Sequence, residues 1–273
     1  MSGRARVSGK SRGGVLGVLL ASAVLLATAT GRPARAGPSL GLEITFDVSS
    51  RDTHLGSGTL TIGVKGGDGA RGRTVKLTGK TESLLGVLYQ GWLDATSWVD
   101  TAWLPVEASW RSELAGKKAH TLAKFNNRRV HAVFARPGVQ PVQIDKTVDA
   151  VLLDPVALVP WLMQQKPKAG RSWATHLYTG MDICQVTLRA GPVQAVVVHG
   201  VSKDAVPVAG ETTNCRISRK FTLWLAPSDQ LPLKLVLFDQ LLGTIDFDLA
   251  QVRRIAVPRQ QRPSAQEQGP PAS

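Results

Sequence analysis

From Leu42 onward one pattern dominates the chain: apolar side chains at every second position. Leu42, Ile44, Phe46 and Val48 alternate with Glu43, Thr45 and Asp47. Successive side chains of a strand point to opposite faces, so this is the pattern of a half-buried strand. Leu60, Ile62 and Val64 repeat it, as do Val75 with Leu77, Val130 with Ala132 and Phe134, and Cys184 with Val186 and Leu188. Near the end, Ile245, Phe247 and Leu249 point one way, Asp246 and Asp248 the other. Turn chemistry separates the runs, as in GGDGARG from Gly66 to Gly72, and Gly86 and Gly91 fall where bends or bulges are expected. Val193 to His199 is almost continuously apolar, the pattern of a strand covered on both faces. The expected fold is mainly β: a curved antiparallel sheet or open barrel wrapped on one short kinked helix.

The helix is the one segment that breaks the period, DPVALVPWLMQQ from Asp154 to Gln165. Asp154 suits an N-cap and Pro155 the first helical position. Val156, Val159, Leu162 and Met163 then share a face. Pro160 lacks a backbone donor and crowds the preceding turn, which predicts a kink or two turns separated at Val159. The apolar face calls for burial under the sheet as a plug. A mobile lid is the alternative.

The N-terminus has the three parts of a secretory leader: basic Arg4, Arg6, Lys10 and Arg12, an apolar run from Val15 to Ala29, and Ala34-Arg35-Ala36 before Gly37. The run is short for a membrane span, and an uncleaved anchor is the competing reading. The expected organisation is a signal peptide over 1–36, a single β-rich domain over 37–252, and a disordered Pro- and Gln-rich tail over 253–273. With cleavage after Ala36 the protein is periplasmic or secreted, with no transmembrane span. The formal charge of +13 overstates its basicity, because six of the 33 Lys and Arg residues lie in the first 36 positions and no acid does. The remainder carries 27 basic and 20 acidic residues, a net +7. No clustered basic face with interleaved aromatics is visible, so nucleic acid is not an expected partner.

Two cysteines, Cys184 and Cys215, remain after the leader. An even count in an oxidising compartment predicts a disulfide, contributing roughly 3–4 kcal/mol by chain entropy. A free thiol and a metal site are the alternatives, but no further ligands stand at metal spacing. No cofactor is expected.

No catalytic constellation is apparent. There is no G-x-S-x-G elbow and no S-x-x-K pair. The histidines at 54, 120, 131, 176 and 199 form no H-E-x-x-H and no helical pair. The chain therefore reads as a non-enzyme. Tryptophan stands out instead: four of seven, Trp92, Trp98, Trp103 and Trp110, fall between Gly91 and Arg111. Such rings fill cores or wall a pocket. The ribbon FTLWLAPSDQLPLKLVLFDQ, from Phe221 to Gln240, is apolar on both sides. Phe221, Leu223, Leu225, Leu233, Leu235 and Leu237 read as one face, Trp224, Val236 and Phe238 as the other. The candidate pocket lining is Trp92, Trp98, Trp103, Trp110, Trp161, Trp224, Val236 and Phe238, with the second ribbon face turned toward the helix.

The stretches LEITFDVSS, SLLGVLYQGWLDATSWVD, VDAVLLDPVALVPWLM, and WLAPSDQLPLKL followed by GTIDFDL cover most of Gly41 to Leu249. Together they resemble the uncharacterised bacterial family catalogued as domain of unknown function 3108. That resemblance implies a periplasmic, curved-sheet domain with no assigned activity, similar in shape to carriers of lipids and lipoproteins of the cell envelope. The Cys184–Cys215 pair is not part of the family pattern. The functional expectation is an exported cell-envelope protein that binds or carries a lipophilic ligand non-covalently, its partner a lipid or other apolar small molecule. The alternative is a structural or scaffolding protein with a self-filled core, its partners other envelope proteins. The leader is tested directly: N-terminal sequencing of exported material should begin at or near Gly37, and a read starting at Met1 would refute cleavage.

Overall fold

The computed structural model describes residues 40–51, 53–63, 73–82, 91–216, 218–239 and 243–256, all within one compact unit. The leader over 1–36 and the stretch after Ala256 lie outside the described residues. Eight strands follow one another as a meander: β1 (Leu40–Ser50), β2 (Thr53–Gly63), β3 (Arg73–Thr81), β4 (Gly91–Val99), β5 (Pro105–Leu114), β6 (Lys117–Asn126), β7 (Arg129–Arg136) and β8 (Val139–Thr147). The chain then crosses over through β9 (Leu152–Leu153) and the single described helix, α1 (Pro155–Gln165). It returns through β10 (Ser172–Tyr178), β11 (Ile183–Ala190), β12 (Gln194–Val198), β13 (Val201–Thr213), β14 (Lys220–Leu225), β15 (Pro232–Asp239) and β16 (Gly243–Ala256). The last strand pairs with the first, so the two halves make one sheet ordered β8-β7-β6-β5-β4-β3-β2-β1-β16-β15-β14-β13-β11-β10-β9. Every described pairing in it is antiparallel except the short β9–β10 pair.

Local sequence accounts for the tight turns. Ala115-Gly116 and His199-Gly200 both have positive φ at two successive positions. That is the turn whose twist suits a two-residue hairpin. Alternation then decides the faces. In β11, Cys184, Val186, Leu188 and Ala190 are buried while Gln185, Thr187 and Arg189 between them are exposed. In β4, Ala95, Ser97 and Val99 face in.

The sheet is curved but not closed, as its alternation and turns predict. Its outer edges meet through side chains: Leu152 and Tyr178 pack into the cluster formed by Ala108, Ala123, Phe125, Val130, Ala132 and Ile144. The Tyr178 ring stacks on Trp110 at 5.4 Å and meets Phe125 edge-on at 5.9 Å.

α1 is the plug inside this curve. It is one uninterrupted helix through Pro160, not two turns separated at Val159. It is also buried on more than one face. Leu158, Trp161 and Leu162 join the cluster built on β10, β11, β13 and β14. Val156 and Ala157 join Ile44, Phe46, Leu60, Ile62, Val75, Ala95 and Val99 from β1 to β4. A helix apolar nearly all round is a core helix, and each large side chain buried stabilises by ~1.5–3 kcal/mol.

Asp154 fixes where the plug sits. Its Oδ1 accepts from the amides of Val156 and Ala157 at 2.8 and 2.9 Å. Its Oδ2 accepts from Ser97 Oγ of β4 at 2.6 Å. The carboxyl is fully buried, and burial pushes its pKa above the ordinary range, with the three hydrogen bonds acting in the opposite direction.

One boundary and one burial pattern differ from the sequence reading. β16 runs on to Ala256, so Arg253 to Ala256 belong to the sheet and not to a tail beginning at 253. Arg253, opposite Glu43, ion-pairs with it across the β1–β16 seam. The apolar run at Val193–His199 is not covered on both faces: Val196 and Val198 are buried while Val197 is 59% exposed. The reason is that β12 pairs only with the first part of β13, forming an arm off the main sheet.

Asp154→Ala should cost roughly 2–4 kcal/mol, because it removes the cap and strands buried donors. Asp154→Asn retains an acceptor and cannot ionise. A raised folded-state pKa means Asp154 contributes its full stability below its unfolded value near ~4 and loses it as pH rises above that. Paired urea melts should therefore show the Asn variant gaining on the parent from about pH 4 to about pH 7. Identical pH profiles would contradict the burial effect on Asp154.

Candidate functional site

The inward faces of both halves do not meet everywhere. Between them and the first turns of α1 lies a cavity of about 640 Å³, within the range of ~300–1,000 Å³ typical of small-molecule sites. One wall is the ribbon: Phe221 and Leu223 from β14, Leu235 and Leu237 from β15. Phe46, Leu60, Leu77 and Leu93 from β1 to β4 form the other, with Phe247 of β16 between them. Pro155, Val156, Leu158 and Val159 of α1 close one side. Thr179, Asp182, Thr212, Arg216 and Arg219 bring nearly all the polarity to one end, beside Met181, Cys184 and Cys215.

Cys184 and Cys215 are disulfide-bonded, with Cα atoms 4.9 Å apart and a sequence separation of 31. The bond ties β11 to the segment between β13 and β14 at this polar end. Asp182 secures the same segment: its Oδ2 accepts from the Arg216 amide at 2.8 Å and its Oδ1 from the Ile183 amide at 3.0 Å.

The ribbon residues divide otherwise than the sequence reading has it. The cavity lies on the Phe221, Leu223, Leu235 and Leu237 face. Trp224 faces away, into a cluster with Val196 and Val198 of the β12 arm, Ala205 and Leu233. Leu233 belongs with Trp224 because the β14–β15 register shifts between Trp224 and Leu225, which pairs with Pro232. An extra residue in one strand turns its side chain to the other face. Val236 and Phe238 border a shallower depression of about 350 Å³ on the outer side, with Thr187, Arg189 and Lys220. Phe238 is 62% exposed.

The tryptophans do not form a ring round the cavity either. Trp92 and Trp98 sit at the outward parity of β4, and Trp92 Nε1 donates to Glu113 at 3.2 Å. Trp110 faces in but stacks on Tyr178 in the seam. Trp103 occupies a turn with φ 63°, held by Asp100 Oδ1 accepting from the amides of Ala102 and Leu104. The Arg73 guanidinium lies 4.5 Å from its ring centre. Trp161 is buried in the helix core, edge-on to Trp173 at 6.5 Å. All are packing or surface rings in this geometry.

Among the described residues no three His, Cys, Asp or Glu side chains gather as a metal site requires. Asp246 and Asp248 straddle Lys234 at 2.8 and 3.1 Å. Burial lowers the pKa of that ammonium, but hydrogen bonds and charge from the two carboxylates outweigh it and raise the pKa on balance. Burial, then the neighbouring charge of Arg111, lowers that of His120. Neither group lines the cavity.

No protein-family model matches the sequence, and no curated protein is significantly similar to it. Among solved structures the fold is similar to a β-barrel-like protein of domain of unknown function DUF1849 from Brucella abortus. The TM-score is 0.53 at 14% identity, covering 78% of this chain and 97% of that one. At that identity the likeness shows the fold alone. It supports an uncharacterised β-rich domain, under a different family number from the one that the sequence motifs resemble.

The faces of the ribbon can be told apart by melts. Leu223→Ala, at 3% exposure, should cost about 2–4 kcal/mol. Phe238→Ala should stay within about 0.5 kcal/mol of the parent, as exposed substitutions do. Equal losses would refute the assignment of faces.

Proposed function

We propose that this chain is an exported cell-envelope protein, periplasmic or secreted after loss of its leader, that holds or carries a lipophilic small molecule without a covalent step. The observation carrying this reading is the apolar cavity of about 640 Å³ between α1 and the Phe221–Leu237 face of the ribbon. Its walls are aliphatic and aromatic, so a guest gains by removing its own apolar surface from water, at ~25 cal/mol per Å². The leader pattern and the disulfide favour export. Kinship with the domain of unknown function 3108 family belongs to the same proposal and rests on the motifs between Gly41 and Leu249. The guest partner is a lipid or comparable apolar molecule.

A structural role in the envelope is the second reading. It is favoured by exposed apolar side chains on β5, β6 and β8, where Val106, Leu122 and Val142 are about half exposed, since surface apolar groups of this kind can meet other proteins.

The neutral dye N-phenyl-1-naphthylamine should bind the gently purified, delipidated chain with a rise in fluorescence. Leu237→Trp, which fills the cavity, should weaken binding about tenfold, or ~1.4 kcal/mol, with the melting transition retained. Phe238→Trp, on the outer face, should not. Absence of dye binding by the parent, together with no lipid in organic extracts of it, would overturn the carrier reading.

A further inference from the structure

The polarity of the cavity is confined to one end, and its chemistry there has a sign. Five side chains supply it: Thr179, Asp182, Thr212, Arg216 and Arg219. The Asp182 carboxylate is already engaged, one oxygen by the Ile183 amide and the other by the Arg216 amide. Thr212 Oγ is engaged by the Arg219 backbone, accepting from its amide at 2.6 Å. The Asp182 oxygens are taken by backbone amides and not by a guanidinium, which leaves the Arg216 guanidinium without an acidic partner among the described residues. Resting on the carrier reading, we propose that the cavity takes a single-chain amphiphile with an anionic head, a carboxylate or another oxyanion, lying against Arg216.

Several features make Arg216 the head-group contact. Its neighbour Cys215 is held to β11 by the disulfide. Its own amide is held by Asp182 at 2.8 Å. The backbone from which the side chain springs is thus pinned at two adjacent residues, and less freedom is lost when a ligand meets it. A guanidinium offers a planar fork of donors that matches two oxygens of one oxyanion. Arg219 lines the same end and is engaged with another group. The remaining walls run through Leu93, Leu235 and Leu237 to Val156 and Leu158 of α1, where only hydrocarbon is met. A tail enters that region while the head remains at the basic end. Arg216 is exposed, so water and salt weaken the attraction and the discrimination is modest.

The test uses the full mature chain with its disulfide intact and reads displacement of N-phenyl-1-naphthylamine. The displacers are dodecanoate, dodecanol and dodecyltrimethylammonium, all below micelle formation. They share one tail and differ in head charge. Dodecanoate should displace the dye at about tenfold lower concentration than the cation, with dodecanol between. Raising NaCl to about 1 M, where the screening length is ~3 Å, should compress that ratio. Arg216→Glu should abolish or invert the ratio, and Arg216→Lys should restore part of it. The ratio between displacers is taken within each variant, so a general loss of cavity binding cancels. Equal displacement by all three heads, or an unchanged ratio in Arg216→Glu, would overturn the head-group assignment while leaving the carrier reading intact. Failure of the dye and of every amphiphile to bind would overturn both.

Discussion

The position of α1 depends on one buried carboxylate. Asp154 accepts two helix amides and one hydroxyl from β4, and so anchors the start of the helix to the inner face of the first half-sheet. The far side of the helix packs on the second half-sheet through Leu158, Trp161 and Leu162. A carboxylate without those donors could not remain in that place, since an unpaired buried charge is expensive. Ser97 is correspondingly the one fully buried polar residue of β4. The cavity follows from this anchoring, because α1 is held where its first turns face the ribbon without touching it throughout.

A sheet of this length raises a second difficulty, its edges. A closed barrel would pair them. Here β8 and β9 end the order unpaired with each other, and the gap is bridged by Leu152 and Tyr178 packing beneath β5 to β8. The seam that carries chain closure is elsewhere, where β1 meets β16 over nearly their whole length. Two kinds of join thus hold one curve: backbone ladder at the β1–β16 seam, and at the outer edges side-chain packing with a backbone bond from the Leu152 amide to the Asn127 carbonyl. The β12 arm extends the same economy to the outside, covering Trp224 and Leu233 with Val196 and Val198.

Much of this was legible from alternation alone. Strands marked by Ile44, Val75, Val130, Val186 and Phe247 have the parity that their spacing assigns. Asp154 and Pro155 announce the helix start by the chemistry of capping. What alternation cannot convey is which face of a two-sided apolar ribbon meets a void. Tertiary contact with β12 covers the Trp224 face, while the Leu235 face borders open space. The bulge at Pro232 also escapes any reading by strict period two, and it moves Leu233 across the ribbon. The tryptophans misled for a related reason: Trp92 and Trp98 share an outward parity, while Trp103 sits in a turn outside the alternation. Arg216 and Arg219 gave no signal as a pair, since their meeting with the cavity depends on the disulfide and on Asp182.

The size of the cavity bears on what occupies it. The cavity opens to solvent, so the cost of a sealed core void, about 24 cal/mol per Å³, does not apply to its full volume of about 640 Å³. Water can enter, but walls of Phe46, Leu60, Leu223, Leu235 and Phe247 offer it almost no hydrogen-bond partners, and a buried water needs two to four. The polar end alone can hold water well. Collapse of the walls is opposed by the ladder on both sides and by the Asp154 anchor, which fix the spacing of strands and helix independently of what lies between. Under the carrier proposal, hydrocarbon meets the apolar walls and a polar group meets the other end, which removes apolar wall surface from water.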